Sequence, residues 1–244
     1  MNVDKTDMSF WFPKLEAAGL PVPKTIQILM SQGAFRDVFR ALDGEEMNGD
    51  AQPFFDQIKK AADHLGYPCF LRTGQTSAKH DWGRTCFLKN PNQVSQHVIN
   101  IVEFSEIAQM PIGLSCEWWF VREFLPTTPI TSCPNFRNMP VCMEFRVFVD
   151  DGEVRCWHPY WPLKALVQGG APDAGKAFDN LSRCADIKSI LSLASEAGSV
   201  VGGSWSVDVL ETKRGWYITD MAEAHKSFHW EDCDKQPPNR SRSG

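Results

Sequence analysis

Two alternating runs meet at Asp151-Gly152 in the stretch MEFRVFVDDGEVRCWH, and this dipeptide constrains the fold more than any other feature. Asp-Gly between two strand-like runs is a strong hairpin signal, so the flanking strands are expected to be antiparallel. A second hairpin is expected in WSVDVLETKRGWYITDMAEA, turning near Arg214-Gly215. Helical segments alternate with these hairpins, which points to an α+β chain rather than a doubly wound parallel sheet. Neither GxxxxGK[ST] nor GxGxxG occurs, so neither common nucleotide loop is available.

Residues 10–30 read as a short helix, a stop at Gly19, a proline-framed turn and an apolar strand. GAFRDVFRAL has helical spacing, and DGEEMNGDAQ after it reads as a loop. Phe54, Phe55, Ile58, Ala61, Ala62 and Leu65 recur at helical spacing up to a stop at Gly66, and Tyr67-Pro68 leads into the strand CFLRT. GQTSAKHDWGR and the following TCFL suggest a hairpin with a mobile tip. Residues 91–110 resemble a helix, and CEWWFVREFL a buried strand. Loops are expected over 126–140 and 160–183, a helix in ADIKSILSLASEAG ending at Gly198, and disorder from Asp234 onward.

A net charge of -5 argues against a general nucleic-acid binder. No apolar run approaches the roughly 20 residues that span a bilayer, and MNVDKTDMSF lacks the basic start and apolar core of a secretory signal. The eight cysteines include no CxxC pair, which disfavours zinc and fits reduced, buried thiols in a cytoplasmic protein.

Three groups of residues can carry chemistry. Arg72 ends a strand beside a polar loop bearing Lys79, so the two can meet a triphosphate from two sides, or simply be solvated charges. Asp208 and Asp220 lie on the two strands of the last hairpin. Together they suit a hard cation such as magnesium, or else form the acidic outer face of an ordinary hairpin. Glu144 and Arg146 project from one face of a strand, as a surface pair or as the lining of a groove in which Arg146 holds phosphate and Glu144 supports metal or substrate.

In order along the chain, LEAAGLPVPKT, IKKAADHLGYPCFLRT, the Lys79 loop, WFVREFLP, EFRVFV and VDVLETKRGWYITDMAE resemble the ATP-grasp superfamily over about residues 10–230. The similarity is to the branch of ribosomal-protein-modifying ligases, many phage-encoded, that also relates to eukaryotic initiation-factor assembly chaperones. The resemblance implies two α+β lobes with antiparallel sheets gripping ATP between them. It divides the chain into a lead-in segment and small lobe (1–50), a nucleotide-binding subdomain (51–115), a C-terminal subdomain with the metal site (116–233) and a tail (234–244). It also implies Arg72, Lys79 and Arg146 on phosphate, Arg122, Glu123 and Phe124 near adenine, and Glu144 beside the reacting groups. Magnesium falls to Asp208 and Asp220; the family's acid-x-Asn reads Asp220-Met221-Ala222 here, so either Glu223 replaces the asparagine as third ligand or the second metal site is weakened.

The implied reaction is ATP-dependent carboxylate–amine ligation, with ADP as product and with acid and amine unspecified; a peptide or protein is one candidate. The loops 126–140 and 159–178, with Trp157, His158, Tyr160 and Trp161, are expected to shape the acceptor site. Two alternatives stay open: a non-catalytic ATP-binding assembly chaperone or switch, and a nucleic-acid-modifying enzyme stacking bases on Trp82, Trp118 and Trp119. No membrane partner is expected.

Overall fold

A computed structural model describes residues 4–108, 113–183 and 186–230. The tail expected to be disordered from Asp234 lies outside these residues, as do Cys184 and Cys233. Two compact units divide the chain. The larger comprises Met1–Val22, Pro126–Asn135 and Pro140–Gly244, and the smaller comprises Pro23–Leu125 and Phe136–Met139.

Helix α1 (Met8–Ala17) belongs to the larger unit and starts where the Asp7 carboxylate accepts the Ser9 N–H. The smaller unit then runs through β1 (Thr25–Leu29), α2 (Gln32–Leu42), α3 (Gln52–Leu65), β2 (Cys69–Thr73), a 3-10 turn (Lys79–Arg84), β3 (Phe87–Leu88), α4 (Val94–Ala108) and β4 (Trp118–Glu123). Its sheet has the order β1-β4-β2-β3, with every pairing antiparallel. Alternation sends Leu71, Trp119, Val121 and Ile28 to one face, where Phe54, Ile58, Val98 and Ile101 of the helices complete a core. Each such side chain, fully buried, contributes roughly 1.5–3 kcal/mol. The indole N–H of Trp119 donates to the Cys116 carbonyl at 2.8 Å, so the ring enters the core without an orphaned donor.

One buried charge holds the loop between α2 and α3. Asp37, 1% exposed, accepts the backbone N–H groups of Asn48, Gly49 and Ala51 at 2.6, 3.1 and 2.9 Å. Burial pushes its pKa up, but these hydrogen bonds and Arg40 outweigh burial and hold the carboxyl below its ordinary value. The loop after α2 is thus shaped by an acid on the helix itself.

In the larger unit the stretch expected as a loop over 126–140 contains two short strands, β5 (Thr131–Cys133) and β6 (Met139–Val141). Then come β7 (Glu144–Asp150), β8 (Glu153–Pro159), α5 (Leu163–Gln168), α6 (Ala174–Leu181), α7 (Ile187–Val201), β9 (Ser204–Thr212) and β10 (Gly215–Glu223). The sheet order is β10-β9-β7-β8, again antiparallel throughout. Asp151 and Gly152 turn β7 into β8 with φ of 46° and 84°, the positive angles that favour this dipeptide.

Two expectations are corrected here. The segment 160–183 is not a loop: Pro162, Gly169-Gly170 and Pro172 punctuate two short helices whose Leu166, Ala177 and Leu181 are buried. Nor does α7 stop at Gly198; it continues to Val201 and ends at Gly202, φ 73°. Gly198 serves close approach instead, since a Cβ there would lie 2.6 Å from Val149 Cγ2. Among the described residues no helix is long and apolar enough to cross a membrane.

Asp37→Ala is expected to lower stability by about 1–3 kcal/mol by leaving backbone donors unmade. Because the folded pKa is depressed below 3.8, the wild-type contribution is present above that pH and lost as acid protonates the carboxyl. Denaturant midpoints measured from pH 7 to pH 3 check both, and the gap between the two proteins should narrow in acid.

Candidate functional site

The smaller unit gathers cations and aromatic rings on the sheet face opposite its core. Register pairs Phe70 with Arg122 and Arg72 with Phe120, so both guanidiniums share that face. Each arginine is only 4% exposed. Arg72 Nε donates to the Thr73 carbonyl at 3.0 Å. Phe124, just past β4, packs at 5.0 Å from Phe87, which in turn stacks on Trp82 at 5.1 Å. Glu123 points the other way along the alternation and ties down the approach to β1: its Oε1 accepts the Lys24 N–H at 2.9 Å. Lys79 opens the 3-10 turn. Burial pushes the Cys86 thiol up to about 12, and the Thr85 hydroxyl, Lys79 and Arg72 oppose this only weakly.

The larger unit aligns charged groups across its sheet. Asp208 pairs in register with Arg146, and Arg146 with His158. Strand β10 would place Thr219 opposite Asp208 if it alternated regularly, since Ile218 pairs with Val209. A bulge intervenes: Asp220 pairs with Asp208, and Thr219 is the extra residue. The bulge therefore turns Asp220 onto the face of Asp208 and completes a row of Asp220, Asp208, Arg146 and His158 over four strands. Thr219 is not idle, for its hydroxyl reaches Glu144 Oε1 and the Asp208 carbonyl, each at 3.3 Å.

Arg146 and Asp208 form a two-pronged pair, Nε to Oδ1 and Nη2 to Oδ2, both 2.8 Å, with side chains 15% and 5% exposed. Burial works against the arginine's charge, but Asp208, and more weakly Tyr160 and Asp220, raise its pKa above the ordinary value. The guanidinium also lies 4.7 Å from the Tyr160 ring centroid. Glu223 is not brought to this row. It pairs in register with Trp205, on the opposite face, and its carboxylate holds Lys226 at 2.8 Å.

No protein-family profile matches the sequence, and no curated protein matches it. Solved structures do. Cdc123 from Schizosaccharomyces pombe is 14% identical with a TM-score of 0.54, covering 90% of this chain and 83% of that one. A RimK domain protein ATP-grasp from Sphaerobacter thermophilus is 16% identical with a TM-score of 0.49, and the chain spans 60% of its length while 90% of the chain is covered. D-alanine–D-alanine ligase from Bacillus anthracis, complexed with ATP, is 8% identical with a TM-score of 0.48, covering 89% of this chain and 52% of that one. The chain has the ATP-grasp fold. At these identities the likeness is one of fold.

ATP-grasp proteins are associated with magnesium, and the donors here can be tested for it. Among the described residues no three His, Cys, Asp or Glu side chains converge as a metal cage. Asp220 and Asp208 share a face, while Ala222, which pairs with Ser206 on that face, offers no ligand. Two carboxylates fit a magnesium ion that keeps waters and shares phosphate oxygens, and do not fit an all-protein cage.

The segment 227–230 crosses this sheet. Ser227 meets Ser206 through its hydroxyl, Arg146 Nη1 donates to the Phe228 carbonyl at 3.4 Å, and His229 Nε2 lies 3.0 Å from Cys156 Sγ. Trp230 stacks on His158 at 4.8 Å. His158 donates from Nδ1 to the Pro159 carbonyl, which can only accept. Burial, helped by Arg146 and His229, lowers its pKa to about 4. Successive residues of one strap thus dock on β9, β7 and β8, a pattern that no local signal in the sequence announces.

Asp208→Ala should cost about 3–5 kcal/mol, since it strands a buried arginine; Asp220→Ala should cost less than about 1 kcal/mol. Thermal melts of the two variants check this. His158 contributes fully above pH 6.5, and its contribution falls as pH drops from 6.5 toward about 4, because the unfolded chain takes up the proton first. The melting temperature of His158→Phe should vary less with pH across that window than that of the wild type.

Proposed function

We propose that this ATP-grasp chain binds ATP with magnesium and uses it to join a carboxylate to an amine through an acyl phosphate. The supporting observation is the row of Asp220, Asp208 and Arg146, set on one face by the bulge at Thr219. A carboxylate oxygen of the acid attacks the γ-phosphorus and the bond to ADP breaks. The amine nitrogen then attacks the acyl carbon, phosphate departs, and the nitrogen loses a proton as the amide forms. No nucleophilic side chain is needed; positioning and charge neutralisation supply the catalysis.

Arg72 and Lys79 neutralise phosphate oxygens, and the face bearing Arg122, with Phe124 at the end of β4, takes the base. Asp220 would hold magnesium together with Asp208, whose charge and direction Arg146 maintains. Bound magnesium would neutralise β- and γ-phosphate charge and fix their geometry. Glu144 orients Thr219 and stands ready for the acceptor. A peptide or protein group as acid or amine is part of this reading.

A second reading, ATP binding without turnover in an assembly chaperone or switch, draws on Ala222 standing where the family carries asparagine. The nucleic-acid reading loses one of its stacking groups, since Trp119 is fully buried in the core.

Calorimetric titration with ATP should give binding in the micromolar range that requires magnesium and disappears in Asp220→Ala. ADP release on adding a carboxylate and amine panel separates ligase from switch. Absence of binding by the wild type would remove the nucleotide reading.

A further inference from the structure

We propose that His97, with Asn100, is a positioning residue for Lys79: the two fix the turn that presents the lysine to phosphate. The inference rests on the ATP reading above. The tip between β2 and β3 begins at Ala78, whose φ of 48° and ψ of 33° lie in the left-handed region. A residue with a Cβ resists that conformation by roughly 1–2 kcal/mol, so neighbouring contacts must hold it there. They are visible. The Thr85 hydroxyl, buried in a residue 2% exposed, lies 2.8 Å from the Ala78 carbonyl and 2.9 Å from that of Asp81. This closes the turn around Lys79 from its two ends.

Thr85 is held in turn from α4. His97 Nδ1 lies 2.6 Å from the Thr85 carbonyl, and because a carbonyl only accepts, Nδ1 carries the proton. One turn along the helix, Asn100 Nδ2 donates to the Arg84 carbonyl at 2.7 Å. Gln96 donates to Asn100 Oδ1 at 2.9 Å, which sets the amide's direction. Two consecutive carbonyls at the end of the turn are therefore gripped by one helix face. Arg137 holds Asp81 at 3.1 Å, and Trp82 is packed between Phe70 and Phe87. Valine or isoleucine fills the neighbouring buried positions 94, 98, 101 and 102 of the same helix. Histidine and asparagine at 97 and 100 would be costly there without these bonds. These contacts build the tip as a platform for one cation.

The test is calorimetry with ATP and magnesium on His97→Leu and His97→Asn, each made with Lys79 present and with Lys79→Ala. Asparagine places an amide donor close to the position of Nδ1, so it should bind ATP as the wild type does. His97→Leu should bind about tenfold more weakly, and should weaken nothing further once Lys79 is alanine. Faster hydrogen exchange over 78–85 should accompany the loss. Asn100→Leu, which loosens the adjacent carbonyl, provides a second variant should His97→Leu fold poorly. Wild-type affinity in His97→Leu and Asn100→Leu, or equal weakening with and without Lys79, would overturn the positioning role while leaving the ATP reading intact. A wild type that binds no ATP would overturn both.

Discussion

The larger unit is organised around the buried pair of Arg146 and Asp208. The residues lie 62 positions apart and meet only because β7 and β9 pair in one register. A slip of one residue between the two strands would turn one of the two charges to the face that Phe145, Val147, Val207 and Val209 bury, away from its partner. Desolvating a guanidinium and a carboxylate is costly, so a misregistered sheet carrying them unpaired is strongly disfavoured. The pair adds little net stability over an apolar substitute, but it specifies which face is polar. The Tyr160 ring lies over its guanidinium, and the strap at 227–230 touches it through the Phe228 carbonyl.

Features set by neighbouring residues were legible in the sequence. The Asp151-Gly152 turn, helix α3 with its stop at Gly66, and the hairpin ending near Gly215 follow from local backbone preferences, and the order of motifs indicated the fold. Features set by distance were not. Whether Asp208 lies on an acidic outer face or inside an ion pair depends on Arg146, which alternation within β9 does not reveal. Glu223 seemed a substitute for the missing asparagine, yet counting residues cannot say which face it takes after a bulge. Gly198 looked like a helix stop because its real constraint, contact with Val149, comes from another strand. Asp37 gave no signal at all, since the loop it fastens reads as ordinary polar sequence.

The two units solve a similar problem by different means. Each has a sheet with one apolar face under helices and one face that carries charged side chains. In the smaller unit the second face carries arginines among aromatic rings, and rigidity comes from side chains gripping backbone carbonyls. In the larger unit it carries carboxylates, and rigidity comes from charge pairing and a strap of backbone laid across the strands.

The extra residue at Thr219 acts as a phase shift in an edge strand. Remove one position there and the turn at Gly215 and the pairing of Ile218 with Val209 would persist, with composition almost unchanged, yet the sheet would be asked to present different side chains to Asp208. The address of this acid is thus written in strand length rather than in residue type. Loss of a single residue in β10 would therefore move this acid off the face of Asp208 even with every acid in the hairpin retained.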